Sequence, residues 1–138
     1  MTQQPETFLT RDECLALLRT TSMGRVALSI EALPVVLPVG FAMLGEDVVF
    51  RPLLETKLST PGRDVVLAFQ ADSFDGSTEG WSVLVQGLAS EVVGAKEIMQ
   101  CEALRLPGIG VSADSTRFAR LPTTLLTGRS FARCARSA

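Results

Sequence analysis

Residues 25–51 read RVALSIEALPVVLPVGFAMLGEDVVFR, and this stretch indicates the fold class. Three runs rich in valine, leucine and phenylalanine predict β-strands. They cover residues 25–30, 33–44 and 48–51. Glu31-Ala32 joins the first two runs and Gly45-Glu46-Asp47 joins the last two, and connections this short suit antiparallel neighbours. Pro34 and Pro38 cannot donate to a strand ladder, so we expect both to lie at an edge or a bulge.

Further short elements are predicted on both sides of this stretch. Thr10 and Glu13 have the spacing of a capping box, which starts a helix that runs to about Thr20. The later predicted strands cover residues 64–72, 81–93 and 116–121, with an additional one at 125–131. Short helices are predicted at residues 53–60 and 94–106, and the ends, 1–6 and 132–138, are expected to be disordered. Many strands joined by short turns favour a mainly β fold, a six-stranded antiparallel barrel with a few flanking helices, over a doubly wound sheet.

Length and charge limit the classes of partner. The chain has 138 residues, enough for one domain over residues 1–138 with a real core. Fifteen acidic and thirteen basic residues give a net charge of −2, whereas nucleic-acid-binding proteins normally carry a basic patch. No apolar run reaches membrane-spanning length, and the N-terminus lacks the pattern of a signal peptide. We therefore expect a cytoplasmic protein with no nucleic-acid or membrane partner.

The available side chains exclude several kinds of catalytic site. The chain has no histidine, which rules out serine and cysteine triads and removes the commonest metal ligand. The three cysteines, Cys14, Cys101 and Cys134, are far apart and lack the spacing of a zinc site or a disulfide framework. We therefore expect no metal site, and the sequence identifies no catalytic side chain.

Arg51 and Lys57 form a candidate phosphate site just after a predicted strand. An arginine fork, the Thr56 hydroxyl and a lysine charge within a short segment are suitable donors for a phosphate. The alternative is a surface arginine and lysine that pair with Glu55 or Asp64. Spacing alone leaves both interpretations open.

Trp81 is the only tryptophan of the chain, and it follows Gly80 at the start of a predicted strand, next to Ser82. Together with a phosphate site, a lone aromatic side chain suggests a flat, phosphorylated ligand. The alternative is a core tryptophan at a barrel end, where the glycine serves a turn. Tryptophan is more often a packing residue than a ligand contact, so this alternative also stays open.

Four segments in order resemble one family. They are Met23-Gly24-Arg25-Val26-Ala27, Pro38-Val39-Gly40-Phe41, Val49-Phe50-Arg51 with Thr56-Lys57-Leu58, and Ala68-Phe69-Gln70-Ala71-Asp72 with Gly80-Trp81-Ser82-Val83. Each segment is weakly specific, but the ordered set spans nearly the whole chain. The chain resembles the FMN-binding split-barrel proteins related to pyridoxamine 5′-phosphate oxidase, and among them the small actinobacterial-type flavoproteins.

This resemblance implies a fold, an assembly and a set of site residues. The fold would be a six-stranded antiparallel split barrel, and the assembly a homodimer with two FMN sites at the subunit interface. Arg51 and Lys57 would bind the FMN phosphate, and Thr56 would donate its hydroxyl. Trp81 and Ser82 would border the same pocket. The residues expected along the isoalloxazine ring are Val39, Gly40, Phe41, Val49 and Phe50.

Three departures from the family pattern leave two functions open. Gly40 replaces a usual asparagine, Pro52 replaces a threonine, and Glu55 replaces a glycine. The leading hypothesis is an FMN-dependent oxidoreductase that acts on an unidentified small molecule, with a nicotinamide or a deazaflavin coenzyme as electron donor. The alternative is a non-catalytic split-barrel binding module that has lost or weakened flavin binding. Haem, bound by some relatives, would here need cysteine or methionine as axial ligand.

Overall fold

The computed structural model describes residues 6–52, 64–74, 79–108 and 117–132. These ranges contain eight strands and two helices. In chain order they are β1 (Glu6–Phe8), α1 (Arg11–Leu18), β2 (Met23–Ile30), β3 (Leu33–Leu44), β4 (Asp47–Phe50), β5 (Val65–Ser73), β6 (Glu79–Glu91), α2 (Ala95–Ala103), β7 (Ala119–Leu121) and β8 (Leu125–Ala132). Neither helix is long and apolar enough to cross a membrane, a finding that covers the described residues.

The strands close into a barrel through β6. The order across the sheet is β1-β8-β6-β5-β2-β3-β4-β7, and β7 also pairs with β6. β6 is long enough to pair with both β8 and β7. Its first part, Glu79 to Gln86, pairs with β8, and its last residues, Ser90 and Glu91, pair with β7. Every one of these pairings is antiparallel. The six strands β6, β5, β2, β3, β4 and β7 form the closed barrel, which confirms the predicted six-stranded antiparallel fold.

Both predicted hairpins are present, and their turns explain their registers. β2 and β3 pair from Met23–Gly40 to Ile30–Leu33, so Glu31 and Ala32 alone form the turn. Both have positive φ, 51° and 66°, as a type I′ turn requires. The β3–β4 turn is Gly45-Glu46, one residue shorter than predicted, because Asp47 already pairs with Leu44.

The prolines of β3 lie where the sequence predicted. β3 pairs with β4 only from Phe41 onward, whereas Pro34 and Pro38 pair with β2 alone. In the described part of the chain, the first half of β3 is therefore an edge. A residue without an amide hydrogen is tolerated there because one side of the strand needs no donor.

The buried residues form two clusters that follow the alternation of the strands. Val48 and Phe50 of β4 point into the barrel with Phe41 and Phe69, whose rings meet edge to face at 4.7 Å between centroids. Val49 points outward, and a second cluster covers it with α2 and the segment before β7. The second cluster consists of Val49, Val92, Cys101, Leu106 and Phe118. Burial of β4 on both faces fixes the strand that leads to Arg51.

The observed helix ends agree with those predicted from the sequence only in part. The capping box of α1 is present, since Thr10 Oγ1 accepts from the Glu13 amide and Glu13 Oε1 accepts from the Thr10 amide. The prediction that the second helix runs to residue 106 was wrong. α2 ends at Ala103, and Arg105 takes φ 52°, which stops the helix; Pro107 also disfavours a helical conformation at the residue before it.

Three smaller predictions also need correction. Glu6 and Ala132, expected in disordered ends, lie in β1 and β8, because β1 pairs with the end of β8. Among the described residues of the strand predicted at 116–121, only Ala119–Leu121 form a strand, which is β7. β5 begins and ends one residue later than the strand predicted at residues 64–72. The helix predicted at residues 53–60 lies outside the described residues.

Candidate functional site

Arg51 follows the last residue of β4 and lies on the outer face of the barrel. Its side chain is half-buried, and its guanidinium carbon lies 5.4 Å from the centroid of the Phe118 ring. Phe118 is buried in the second cluster, so the ring is a fixed surface. A cation–π contact of arginine with an aromatic face contributes roughly 0.5–2 kcal/mol, so this contact favours a guanidinium position beside Phe118. Arg51 is thus a positioned, directional donor at a strand end.

Of the strand residues expected along the flavin ring, Gly40 and Val49 face the same side as Arg51, and Val49 is buried there in the second cluster. The β3–β4 ladder ends at the pair Phe41–Phe50, so Gly40 and Arg51 are the next residues on the two strands. The side chains of Val39, Phe41 and Phe50 belong to the barrel interior. Contact between these three residues and a ligand on the outer face would therefore go through backbone atoms.

The outer face of Gly40 is covered by Pro107. A Cβ atom at position 40 would lie 2.6 Å from the carbonyl oxygen of Pro107 and 2.8 Å from its Cβ. Real Cβ atoms essentially never approach this closely, so a side chain at this position requires the backbone of Pro107 to move. The glycine that departs from the family pattern thus accommodates the segment that follows α2.

Trp81 and Ser82 point to opposite faces of β6. The indole of Trp81 is half-buried against the barrel interior, as in the packing interpretation. Ser82 faces outward, where Gln70 Nε2 donates to its Oγ at 3.0 Å and to Asp72 Oδ2 at 2.7 Å. Sequence reasoning overlooked Gln70 as a functional candidate. The alternation of residues 68, 70 and 72 along one strand was the signal that places Gln70 and Asp72 together.

Two of the predicted phosphate-binding residues, Thr56 and Lys57, lie outside the described residues. Glu55 lies outside them as well. Within the described ranges, no group of three or more histidine, cysteine, aspartate or glutamate side chains could hold a metal ion. Cys14 and Cys101 are buried, and burial raises the pKa of both thiols, so neither is an activated nucleophile.

Comparison with known proteins places this architecture in a family. A family model described as pyridoxamine 5′-phosphate oxidase matches residues 10–130. This chain belongs to the pyridoxamine 5′-phosphate oxidase family. The match covers both helices and all the strands of the closed barrel, so the family assignment and the fold rest on the same residues.

Individual relatives are similar over most of their length. An uncharacterized protein of Mycobacterium tuberculosis is 34% identical over 113 residues, which are 78% of this chain and 74% of the relative. The structure of an FAD-binding protein from Mycobacterium smegmatis is 28% identical, with a TM-score of 0.75, and the match covers 91% of this chain and 98% of that one. A conserved protein of unknown function from Corynebacterium diphtheriae is 25% identical, with a TM-score of 0.72 and coverage of 93% and 99%.

The described residues fit a flavin at one end of the expected site and obstruct it at the other. At the phosphate end, Arg51 has suitable chemistry and a fixed orientation against Phe118. At the ring end, Pro107 lies on the outer face of Gly40, so part of the expected surface is already in contact with protein. A flavin anchored at Arg51 would have to lie beside Pro107 or displace it.

Proposed function

We propose that this protein binds FMN at Arg51 and serves as an FMN-dependent oxidoreductase for a small molecule. The observation that carries the proposal is the half-buried guanidinium of Arg51, held against Phe118 on the same face as Gly40. When bound, the flavin supplies the hydride chemistry, and the protein supplies binding and polarity. A chain without histidine suits this function, because hydride transfer at a flavin needs no side-chain acid or base.

The described residues support two roles in such a site. Arg51 would bind the phosphate through parallel N–H donors, and its stacking on Phe118 reduces the conformational entropy lost on binding. Ser82 would present a hydroxyl whose position is set by Gln70. The proposed contributions of Thr56 and Lys57, a hydroxyl and a second positive charge, rest on the family resemblance.

The identity of the nucleotide is part of the proposal. The Mycobacterium smegmatis relative is an FAD-binding protein, whereas the sequence motifs resemble those of FMN-binding proteins. Both nucleotides carry a phosphate at the end of the ribityl chain, so Arg51 can serve either. We propose FMN, with a nicotinamide or deazaflavin coenzyme as electron donor, because the motif residues account for one phosphate.

One observation favours a second function, a binding module without flavin chemistry. Pro107 lies on the surface that the ring would use, and Gly40 is the residue that permits it. If Pro107 stays in place when ligands bind, the ring has no continuous surface on β3 and β4. The chain would then keep the barrel and lose the cofactor.

We also propose that the protein is a homodimer that assembles through the outer face of β3, β2, β5, β6 and β8. One row of side chains crosses all five strands, and a second, shorter row lies beside it on β5 and β6. The first row is Val36, Ala27, Ala68, Gln86 and Leu125, and the second is Val66 and Leu88. Apart from Gln86, these side chains are apolar. An exposed apolar patch of this kind marks an interaction surface.

A second copy of the chain is the occupant that this face suits best. Val66 is 74% exposed, Val36 and Leu125 are each 62% exposed, and Leu88 is 50% exposed, so the face as a whole is open in the single chain. A face with one apolar end can pack on the same face of a second copy about a two-fold axis, the commonest symmetry of homo-oligomers. The polar side chains Gln70, Asp72 and Ser82 lie on the same face, so a partner seated there would approach the candidate site.

Spectroscopic titration tests the flavin proposal. The purified protein is titrated with FMN, FAD, riboflavin and a deazaflavin coenzyme, with visible absorbance and flavin fluorescence as readouts. We expect saturable binding of FMN that is tighter than that of riboflavin, and reduction of bound flavin by a nicotinamide or reduced deazaflavin. If none of the flavins binds at micromolar concentration, the binding-module function replaces the oxidoreductase.

A further inference from the structure

A cavity lies apart from Arg51, between the end of α1, the last residues of β3 and the segment after α2. Its volume is about 480 Å³, within the range of about 300–1,000 Å³ typical of small-molecule sites. Its lining includes Arg19, Ser22, Phe41, Met43, Arg105 and Pro107. Arg51 is not among the lining residues, so the cavity is separate from the proposed phosphate site.

Among the described residues, the cavity is lined by two arginines and by no acidic side chain. Four other arginines form ion pairs, namely Arg11 with Glu46, Arg117 with Glu91, Arg120 with Asp47 and Arg129 with Glu6. Arg19 and Arg105, in contrast, have no acidic partner among the described residues. Arg19 Nη2 donates to the carbonyl oxygen of Gly45 at 3.0 Å, which orients its guanidinium and leaves its positive charge without a counter-ion there. Two such charges at one cavity favour an anion.

The backbone at Arg105 is a separate indication of function. Its φ of 52° is left-handed, at the position after a helix end where glycine is the usual residue. A residue with a Cβ atom is strained in this conformation. Strain of this kind is concentrated at functional sites. Here the strained residue is an arginine at the wall of a cavity, at a position where glycine would be less strained.

The other walls indicate the rest of the ligand. Phe41, Met43 and Pro107 are apolar, while Thr21 and Ser22 add hydroxyls. Pro107 is seated against Gly40, so the proline that covers the expected flavin surface also forms part of this wall. An apolar wall beside two positive charges suits a molecule with an anionic head and an apolar body.

We propose that this cavity binds a small organic anion, a carboxylate or a phosphate monoester with an apolar body, whose charge is held by Arg19 and Arg105. The proposal does not depend on flavin binding, because it uses neither Arg51 nor the outer face of β5 and β6. The carboxylate and the phosphate monoester share the chemistry that two guanidinium groups recognise, and the test distinguishes them.

The test is calorimetric titration of the full chain, with and without saturating FMN. Phenyl phosphate and benzoate are the probes, inorganic phosphate lacks the apolar body, and benzyl alcohol lacks the charge. We expect saturable binding of phenyl phosphate, benzoate or both, and weaker binding of inorganic phosphate and benzyl alcohol. Binding of the anions with FMN absent, or when FMN does not bind, keeps this proposal distinct from the flavin proposal.

Three variants complete the test. Arg105→Gly removes the side chain and relieves the backbone, so this variant should fold at least as well as the parent. We expect Arg105→Gly and Arg19→Gln each to weaken the anion by about tenfold or more, the loss typical of a charged hydrogen bond. Lys96→Gln, which removes one positive charge from the exposed side of α2, should leave the affinity unchanged. Equal losses in all three variants, equal binding of benzyl alcohol, or no binding of either anion would overturn the proposal.

Discussion

Pro107 packs directly on the backbone of Gly40: a Cβ atom built on the glycine would lie 2.6 Å from the Pro107 carbonyl oxygen. We expect Gly40→Ala to lower the free energy of unfolding by about 1–3 kcal/mol, because overpacking by one methyl group against backbone atoms forces the chain to shift. Urea denaturation measures the change.

Gly87→Ala is the matched control for this substitution. A Cβ at position 87 would lie 3.6 Å from Leu121 Cδ1, an ordinary van der Waals contact. Both glycines lie in barrel strands, and alanine is intrinsically favoured over glycine there. Gly87→Ala should therefore leave stability unchanged or raise it. Stability losses of the same size at both positions would mean that the contact with Pro107 is not the cause.

Arg51→Ala should weaken FMN about tenfold or more and leave riboflavin affinity nearly unchanged. The reason is that a charge-assisted contact to the phosphate contributes roughly 1.5–3 kcal/mol. Riboflavin has no phosphate and therefore does not make this contact. Arg51→Lys is the second variant, since it keeps the charge but loses the planar fork that stacks on Phe118. We expect intermediate FMN affinity for it. Losses of the same size for both flavins would assign Arg51 a structural role.

The parts of the fold that depend on short sequence separations could be predicted. The capping box needs Thr10 and Glu13 three residues apart, and both of its hydrogen bonds are present. The β2–β3 and β3–β4 hairpins follow from apolar runs separated by two or three turn residues. Closure of the barrel was predicted from the number of strands and the short turns between them.

The parts of the site that depend on distant residues could not be predicted in the same way. Pro107 meets Gly40 across 67 positions of sequence, after α2 has ended at Ala103 and the chain has turned at the positive φ of Arg105. No pattern in the sequence distinguishes an arginine that stops a helix by positive φ from one that continues it. The sequence therefore indicated that position 40 departs from the family, but not that another segment fills the space.

Val66→Lys and Leu88→Asp should each convert the proposed dimer to a monomer. The two residues face each other on β5 and β6, and a charge buried at the centre of an apolar interface is costly unless it is paired. Sedimentation velocity at micromolar concentration measures the mass. Met99→Lys is the control, because Met99 is an exposed apolar residue on α2, away from this face. A monomeric parent protein, or a dimer that survives both charged variants, would show that this face is not the interface.

Replacement of the β2–β3 turn, Glu31→Asn with Ala32→Gly, should stabilise the protein by about 1 kcal/mol. Both residues have positive φ, which costs a residue with a Cβ roughly 1–2 kcal/mol, and Asn-Gly is the preferred pair for a type I′ turn. Part of the gain is offset by the greater freedom of glycine in the unfolded chain. Thermal unfolding should show a rise in Tm of roughly 3–5 °C for each kcal/mol in a chain of this size.

Gly45→Ala tests the same physical effect in the opposite direction. Gly45 has φ 61° in the β3–β4 turn, and a Cβ there would meet no atom within 4 Å, so any loss of stability comes from the backbone conformation alone. We expect Gly45→Ala to lower the free energy of unfolding by about 1 kcal/mol. If the Asn-Gly replacement fails to stabilise while Gly45→Ala destabilises, positive φ is costly in this barrel but Glu31 and Ala32 do not adopt it. If neither variant changes Tm, the turns contribute nothing to stability and the hairpin registers are set by the strands themselves.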